Sequence, residues 1–163
     1  MNGQGNVTAC SEFNFHFDPV SAKTILNSRI TKTLIPLDVT KQVTFGLEFL
    51  EELPVEDSRC GYFLRQILPF AFRSYRQHLG QETILLNDAV GALALIKPEL
   101  FQSEPVACDV ETEGELTRGM LVSDRRNLPE RRPNANVITG VIVDRVRQFI
   151  VDQLTVAGNA SLR

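Results

Sequence analysis

From Glu12 to Asp18 apolar and polar residues alternate without a break. Phe13, Phe15 and Phe17 fall on one side of the pattern, and Glu12, Asn14, His16 and Asp18 on the other. Side chains on an extended backbone repeat every two residues, so the alternation predicts a half-buried strand. Asp18-Pro19 then predicts a helix start. An Asp side chain accepts from free first-turn N–H groups, and a Pro at the first helical position gives up an N–H that has no partner there. Val20, Thr24 and Ile25 supply the stripe of that helix, which fades near Asn27-Ser28. Leu34 to Val39 is a run of strand length, and Pro36 within it predicts an edge strand or an irregular one.

The period then changes. Phe45, Phe49, Leu50 and Leu53 recur at helical spacing, with Glu48, Glu51 and Glu52 outside, which predicts a helix over 44–53 closed by Pro54. The longest helix is expected over about 58–78. Leu64, Leu68, Ala71 and Tyr75 form one stripe, Phe63, Ile67 and Phe70 flank it as core, and Arg65, Arg73 and Arg76 cover the other side. Pro69 is expected to kink it. Leu85-Leu86 reads as the end of a short apolar strand, after which Asp88 caps a helix that Pro98 closes. Val106 to Thr112 and Leu116 to Val122 flank Glu113-Gly114 as a hairpin. Asn136 to Val143 is a further strand, and Asp144 caps a last helix with Val146, Phe149, Ile150 and Leu154 inward. Residues 158–163 are expected to fray. Helices and strands alternate over the first two thirds, which predicts an α/β fold with a partly parallel sheet under helical cover.

Composition narrows the functional classes. The 163 residues carry a net charge of -3, with 43% hydrophobic and 23% charged residues, an ordinary balance for one domain with a real core. Phosphate-binding surfaces need clustered cations. Arg125, Arg126, Arg131 and Arg132 do cluster, but Asp124 and Glu130 interleave with them and predict a solvated loop, so no nucleic-acid partner is expected. No apolar run reaches membrane-span length, and the first ten residues lack the basic start of a signal peptide. Cys10, Cys60 and Cys108 fit neither zinc nor redox spacing and read as reduced thiols of a cytoplasmic protein. With His16 and His78 the only histidines, a histidine-rich metal site is excluded.

The chemistry-bearing residues gather at two places. On the wet face of the expected first strand, Glu12 and Asn14 lie about 7 Å apart. A carboxylate beside a carboxamide supplies acceptors and donors for the vicinal hydroxyls of a sugar. An ordinary half-buried strand accounts for the same pattern. The second place is Asn87-Asp88, where capping and turn roles would explain both residues.

Taken together, these stretches resemble the inosine-uridine-preferring nucleoside hydrolases. Gly5-Asn6-Val7-Thr8, Glu12-Phe13-Asn14 and Asp18-Pro19 are similar to that family's sugar-binding segment, and Leu37-Asp38-Val39-Thr40 to its next landmark. Leu86-Asn87-Asp88-Ala89-Val90 stands where the family has Leu-His-Asp-Pro. Val110-Glu111-Thr112 through Leu116-Thr117-Arg118-Gly119 resembles its late hairpin, and Arg132-Pro133-Asn134 its late loop. The resemblance runs from about Gly5 to Leu154. It implies hydrolysis of the N-glycosidic bond of ribonucleosides to ribose and free base, through a ribosyl oxocarbenium-like transition state. It implies that Asn6, Glu12 and Asn14 hydrogen-bond the ribose and that Asp88 is a ligand of a calcium ion holding the attacking water. Tyr75 and His78 are candidate base contacts, because they lie upstream of the same loop.

Two departures stand out. The family's amino-terminal Asp-x-Asp-x-x-x-Asp-Asp cluster, source of most calcium ligands and of the general base, has no counterpart; Glu48, Glu51 and Glu52 come nearest. Calcium takes six to eight oxygens, and Asp88 offers one or two. The chain is therefore expected to be a single partial domain over 1–163. It corresponds to the carboxy-terminal half of an open, mostly parallel sheet with helical cover and a late β-hairpin. Such a chain is a truncated product, a product with a mis-assigned start (Met1-Asn2-Gly3 resembles an eroded Met-Gly-Gly), or one partner of a split enzyme. A homo-oligomer or a pairing with a missing amino-terminal half is expected, and a catalytically inactive fragment is the alternative reading. The second departure is Asn87, where many members place a His that protonates the leaving base; an amide is no general acid at neutral pH.

Overall fold

The computed structural model describes residues 4–126 and 132–162. Met1-Asn2-Gly3, together with Glu130 and Arg131 of the expected basic loop, lie outside the described residues. The single partial domain expected over 1–163 is organised as two compact units, Met1–Val39 with Phe101–Val141 and Thr40–Leu100 with Ile142–Arg163.

The first unit holds a four-stranded sheet in the order β1-β6-β4-β5. Its strands are β1 (Thr33–Leu34), β4 (Phe101–Val110), β5 (Leu121–Asp124) and β6 (Ala135–Val141). β1 runs parallel to β6, Thr33 opposite Asn136, while β4 is antiparallel to both β5 and β6. The expected α/β class and partly parallel sheet are thus present, and β1 lies at the sheet edge as Pro36 demanded. Residues 37–40 are helical instead (α3, Leu37–Thr40), because Pro36 supplies no ladder donor. Helix α2 (Pro19–Asn27) begins and ends where the sequence placed it, with Asp18 accepting from the Ser21 N–H at 2.9 Å. Its buried residues are Pro19 and Leu26; Val20 and Ile25 are exposed, so the expected stripe was one face off. Leu26 joins Val106, Cys108, Val110, Ala135 and Val137 in the core, with Phe15, Ala22, Leu34 and Leu121 at its margin. Burial pushes the Cys108 thiol up, with Asp109 adding to the shift, so it remains a protonated core group.

Asn134 ties this unit together. Its Oδ1 accepts from the Cys108 N–H at 2.9 Å, and its Nδ2 donates to the Cys108 carbonyl at 2.9 Å and the Leu26 carbonyl at 3.1 Å. One side chain so satisfies backbone groups on β4 and α2 that burial would otherwise leave unpaired.

The second unit pairs β2 (Thr44–Phe45) with β3 (Ile84–Leu85), antiparallel. The helix expected over 44–53 is a strand followed by one 3-10 turn, Leu47–Leu50. Phe45 and Phe49 nevertheless pack ring to ring, 4.5 Å between centroids. Arg147 explains the difference. From α6 (Val143–Ala160) it donates to the Thr44 carbonyl at 3.0 Å, pairs with Glu48 and Glu52, and lies 5.1 Å over the Phe45 ring.

Helix α4 (Arg59–Leu79) runs through Pro69 and ends at Gly80 in the left-handed conformation. Leu68 and Phe72 are buried, but Phe63 and Phe70 stay 59% and 68% exposed, against the expectation of core packing. Arg65, expected outside, reaches inward to the carbonyls of Leu50, Leu53 and Pro54. Helices α5 (Asn87–Ile96) and α6 each begin one residue before the Asp expected to cap them. Their N-cap positions are Leu86 and Ile142, and Asp88 and Asp144 sit within the first turn, where a carboxylate still favours the helix dipole. The apolar face expected of α6 is observed at Val146 and Ile150. Residues 158–162 of the tail expected to fray are held. Gly158 packs so closely on Pro54 that a Cβ would lie 2.4 Å from its Cβ. Ser161 accepts from the Arg59 N–H, and Leu162 bridges Ser58.

Candidate functional site

The alternating stretch 12–18 is a helix. α1 spans Phe13–Phe17, and none of its residues is buried. Three local devices override the strand-like pattern. Glu12 is the N-cap, its Oε2 accepting from the N–H groups of Asn14 at 2.8 Å and Phe15 at 3.3 Å. Asn6 reaches across from the preceding loop, its Oδ1 accepting from the Phe13 N–H at 2.9 Å. Phe13 and Phe17, four apart, stack at 6.0 Å, which a helix allows and a strand does not.

The loop before α1 is tightly closed. The N–H of Asn6 donates to the Ser11 carbonyl at 3.1 Å, and a Cβ on Gly5 would meet the Ser11 and Thr8 carbonyl oxygens at 2.3 Å, so only glycine fits. Asn6, Glu12 and Asn14 are therefore brought together, in a different geometry from the one expected. Glu12 and Asn14 are not neighbours along a strand; Glu12 Oε1 accepts from Asn14 Nδ2 at 3.2 Å. That bond leaves the Asn14 Oδ1 as acceptor and gives the carboxylate a fixed orientation. The arrangement is a charged acceptor joined to an amide on an exposed helix, chemistry suited to hydroxyl groups.

The remaining expected residues belong to the second unit. Tyr75 is half-buried and His78 exposed in the last turns of α4. Asn87 and Asp88 open α5, where Asp88 is exposed. The Oδ1 of Asn87 is buried and has no hydrogen-bond partner among the described residues, an unusual state for a side-chain acceptor. Among the described residues no three His, Cys, Asp or Glu side chains come together as a metal site. Asp88 by itself does not fit calcium, which takes six to eight oxygens.

Residues to which the sequence reading assigned no part in the site hold α1 in place. Strands β4 and β5 were expected to meet at a two-residue turn, but their connection is longer, 111–120, and it folds against the 10–16 stretch. Buried Ser11 donates its Oγ to the Arg118 carbonyl, and Cys10 Sγ donates to the Leu116 carbonyl at 3.0 Å. Arg118 Nη1 donates to the His16 carbonyl at 2.7 Å. Gly119, at φ +79°, lies where a Cβ would meet the His16 Cα at 2.7 Å. The base of the connection is set by Glu111, whose Oε1 accepts from the N–H groups of Glu113 at 2.9 Å and Gly114 at 3.1 Å. Those two bonds hold its carboxyl below the ordinary range. The adjacent Thr117-Arg118-Gly119 was the available signal.

Comparison with known proteins places these features in a wider set. The family model described as inosine-uridine preferring nucleoside hydrolase matches residues 1–148. The non-specific ribonucleoside hydrolase RihC of Escherichia coli O7:K1 is 32% identical over 155 residues, covering 95% of this chain and 49% of the relative. RihC of Salmonella enteritidis is 32% identical over 150 residues, covering 92% and 47%. The structure of a purine-preferring ribonucleoside hydrolase from Gardnerella vaginalis superposes with a TM-score of 0.88 at 25% identity, covering 98% of this chain and 50% of that one. A plant nucleoside hydrolase, PpNRh1, shares the fold at a TM-score of 0.84 and 24% identity, covering 93% and 50%. The chain spans about half the length of the curated relatives it matches.

Proposed function

The chain belongs to the inosine-uridine preferring nucleoside hydrolase family, and from that premise we propose that it serves the hydrolysis of ribonucleosides as the ribose-holding part of the enzyme. The reaction adds water across the N-glycosidic bond. The bond from ribose C1′ to the base nitrogen breaks, a C1′–O bond forms, and the base leaves with a proton. The observation that carries the reading is the Glu12–Asn14 pair, a carboxylate and carboxamide fixed to each other on an exposed helix within the matched region.

In this reading Asn6, Glu12 and Asn14 grip the ribose hydroxyls. A negative carboxylate beside a ring that gains positive charge favours the transition state over the resting sugar. Preorganisation by the Asn14 amide means Glu12 need not reorient during reaction. Asn87 takes the position of a leaving-group acid without its acidity, so it holds the base by hydrogen bonding, and Tyr75 and His78 add base contacts. Asp88 would contribute one ligand to a calcium ion whose other ligands come from elsewhere, since the described residues of this chain do not fit the ion by themselves. Pairing with a polypeptide that supplies the other calcium ligands is the partnership this reading calls for, and assembly with further copies the expected outcome. The free thiols of Cys10, Cys60 and Cys108 support a cytoplasmic setting.

The test is turnover of inosine, uridine and a nitrophenyl riboside with added calcium. It is run on the purified chain and on the chain mixed with the amino-terminal half of the Escherichia coli relative. Turnover in the mixture, absent from either part and lost with Asp88→Ala, is the expected result. No turnover and no nucleoside binding in any arm overturns the reading. Turnover by the chain alone overturns the need for a partner.

A further inference from the structure

Helix α1 presents Glu12 and Asn14, yet it has five residues and buries none of them. So short a helix is not stable by its own hydrogen bonds. What it lacks in burial is supplied from the β4–β5 connection more than a hundred residues later in the chain. We infer that Arg118, with Gly119, is a positioning residue for the ribose grip, clamping α1 from its carboxyl end. The inference rests on the ribose reading for its purpose, though not for its geometry.

Five contacts converge. The Arg118 guanidinium donates to the His16 carbonyl at 2.7 Å, a group near the end of α1 where helix carbonyls lack intrahelical partners. A cation there also answers the negative end of the helix dipole. The Arg118 carbonyl accepts from Ser11, the residue before the Glu12 cap, and lies 3.4 Å from His16 Nδ1. Gly119 lets the two backbones meet, since a Cβ would lie within 3 Å of the His16 Cα and N and the Phe15 carbonyl oxygen. The Leu116 carbonyl takes the Cys10 thiol at 3.0 Å. One residue so touches both ends of the segment that carries Glu12 and Asn14. Its loss would release the helix without touching the sugar.

Hydrogen exchange on the 163-residue chain reads the clamp without any turnover. In Arg118→Ala the amides of Asn14, Phe15 and His16 exchange about tenfold faster, the change expected for one charge-assisted hydrogen bond. Amides of β4 and β6 keep their protection. Arg118→Lys, which retains a cation and donors, recovers most of the loss. Gly119→Ala, which forces the backbones apart, loosens α1 by a separate route and stands in if Arg118→Ala does not fold. Unchanged exchange in α1, or acceleration shared equally by β4 and β6, overturns the inference. The ribose reading is judged by a second measurement, an inosine titration followed by NMR. Shifts at Asn14 in the native chain that weaken about tenfold in Arg118→Ala and return in Arg118→Lys support both. Absence of shifts in the native chain counts against the ribose reading, and the exchange data then decide the clamp alone.

Discussion

Glu12 and Asn14 are bonded to each other across the first turn of α1, Oε1 to Nδ2 at 3.2 Å, while the second carboxylate oxygen caps the helix that carries them both. Structure and proposed chemistry thus use the same carboxylate, and substitutions can separate the two. Glu12→Gln keeps an acceptor for the Asn14 and Phe15 N–H groups but removes the charge. It should leave α1 protected from exchange and lower turnover in the complemented enzyme about a hundredfold, as for the loss of one preorganised electrostatic contact. Glu12→Ala removes the cap as well and should cost α1 about 1 kcal/mol of local stability.

Asn134 offers a prediction about the fold alone. Asn134→Ala leaves the Cys108 N–H and two carbonyls without their partner. The cost expected is about 3 kcal/mol in denaturant unfolding, because buried groups stripped of a partner lose more than one hydrogen bond's net worth.

The acid limb of stability should report Glu111. Its folded pKa lies below the ordinary value of 4.5, first because of the Glu113 N–H and then that of Gly114. A carboxylate with a depressed folded pKa contributes stability that is complete above the unfolded value. That stability is lost as the pH falls through the folded one. Thermal midpoints should therefore hold level from neutrality toward 4.5 and decline below it, and Glu111→Gln should make that decline shallower.

Asn87 invites the reverse substitution. Its Oδ1 has no partner among the described residues, so the site does not depend on that atom for folding. Asn87→His should raise inosine turnover in the complemented enzyme about a hundredfold by supplying an acid for the leaving base. The nitrophenyl riboside, whose leaving group needs no proton, should change little. Equal gains on both substrates would argue against acid catalysis at this position.

Helix α4 carries Phe63, Ile67 and Phe70 exposed along one side. A contiguous apolar stripe of this kind binds environment-sensitive dyes. Phe63→Glu and Phe70→Glu together should abolish most of the dye signal while leaving the unfolding free energy within about 0.5 kcal/mol, as for exposed substitutions.

What the sequence disclosed depended on how local the controlling interaction was. Asp18-Pro19 announced α2 because cap and helix are adjacent. The core of α6 was legible at Val146 and Ile150 because period alone decides it. The stretch 12–18 misled because its alternation is real, while the forces that coil it come from Asn6, Glu12 and residues 116–119. Arg65 and Arg147 were equally opaque: each turns its guanidinium onto backbone oxygen that only the folded chain brings near. At the candidate site, residue types were legible from motif order. Their geometry was not, since a carboxylate two residues from an amide looks the same on a strand and at a helix cap.

The pairing of β1 with β6 has a consequence for the order in which the molecule can form. Thr33 and Leu34 find their sheet partners at Asn136 and Val137, and among the described residues β6 is the only strand beside β1. During synthesis the early strand leaves the ribosome long before the one it needs. Closing so long a loop is slow relative to local helix formation. The second unit waits in the same way for α6, which brings Arg147 to Thr44. Neither unit can finish until β6 and α6 have emerged, so Leu34 and its neighbours spend that interval as an unpaired edge open to wrong pairing.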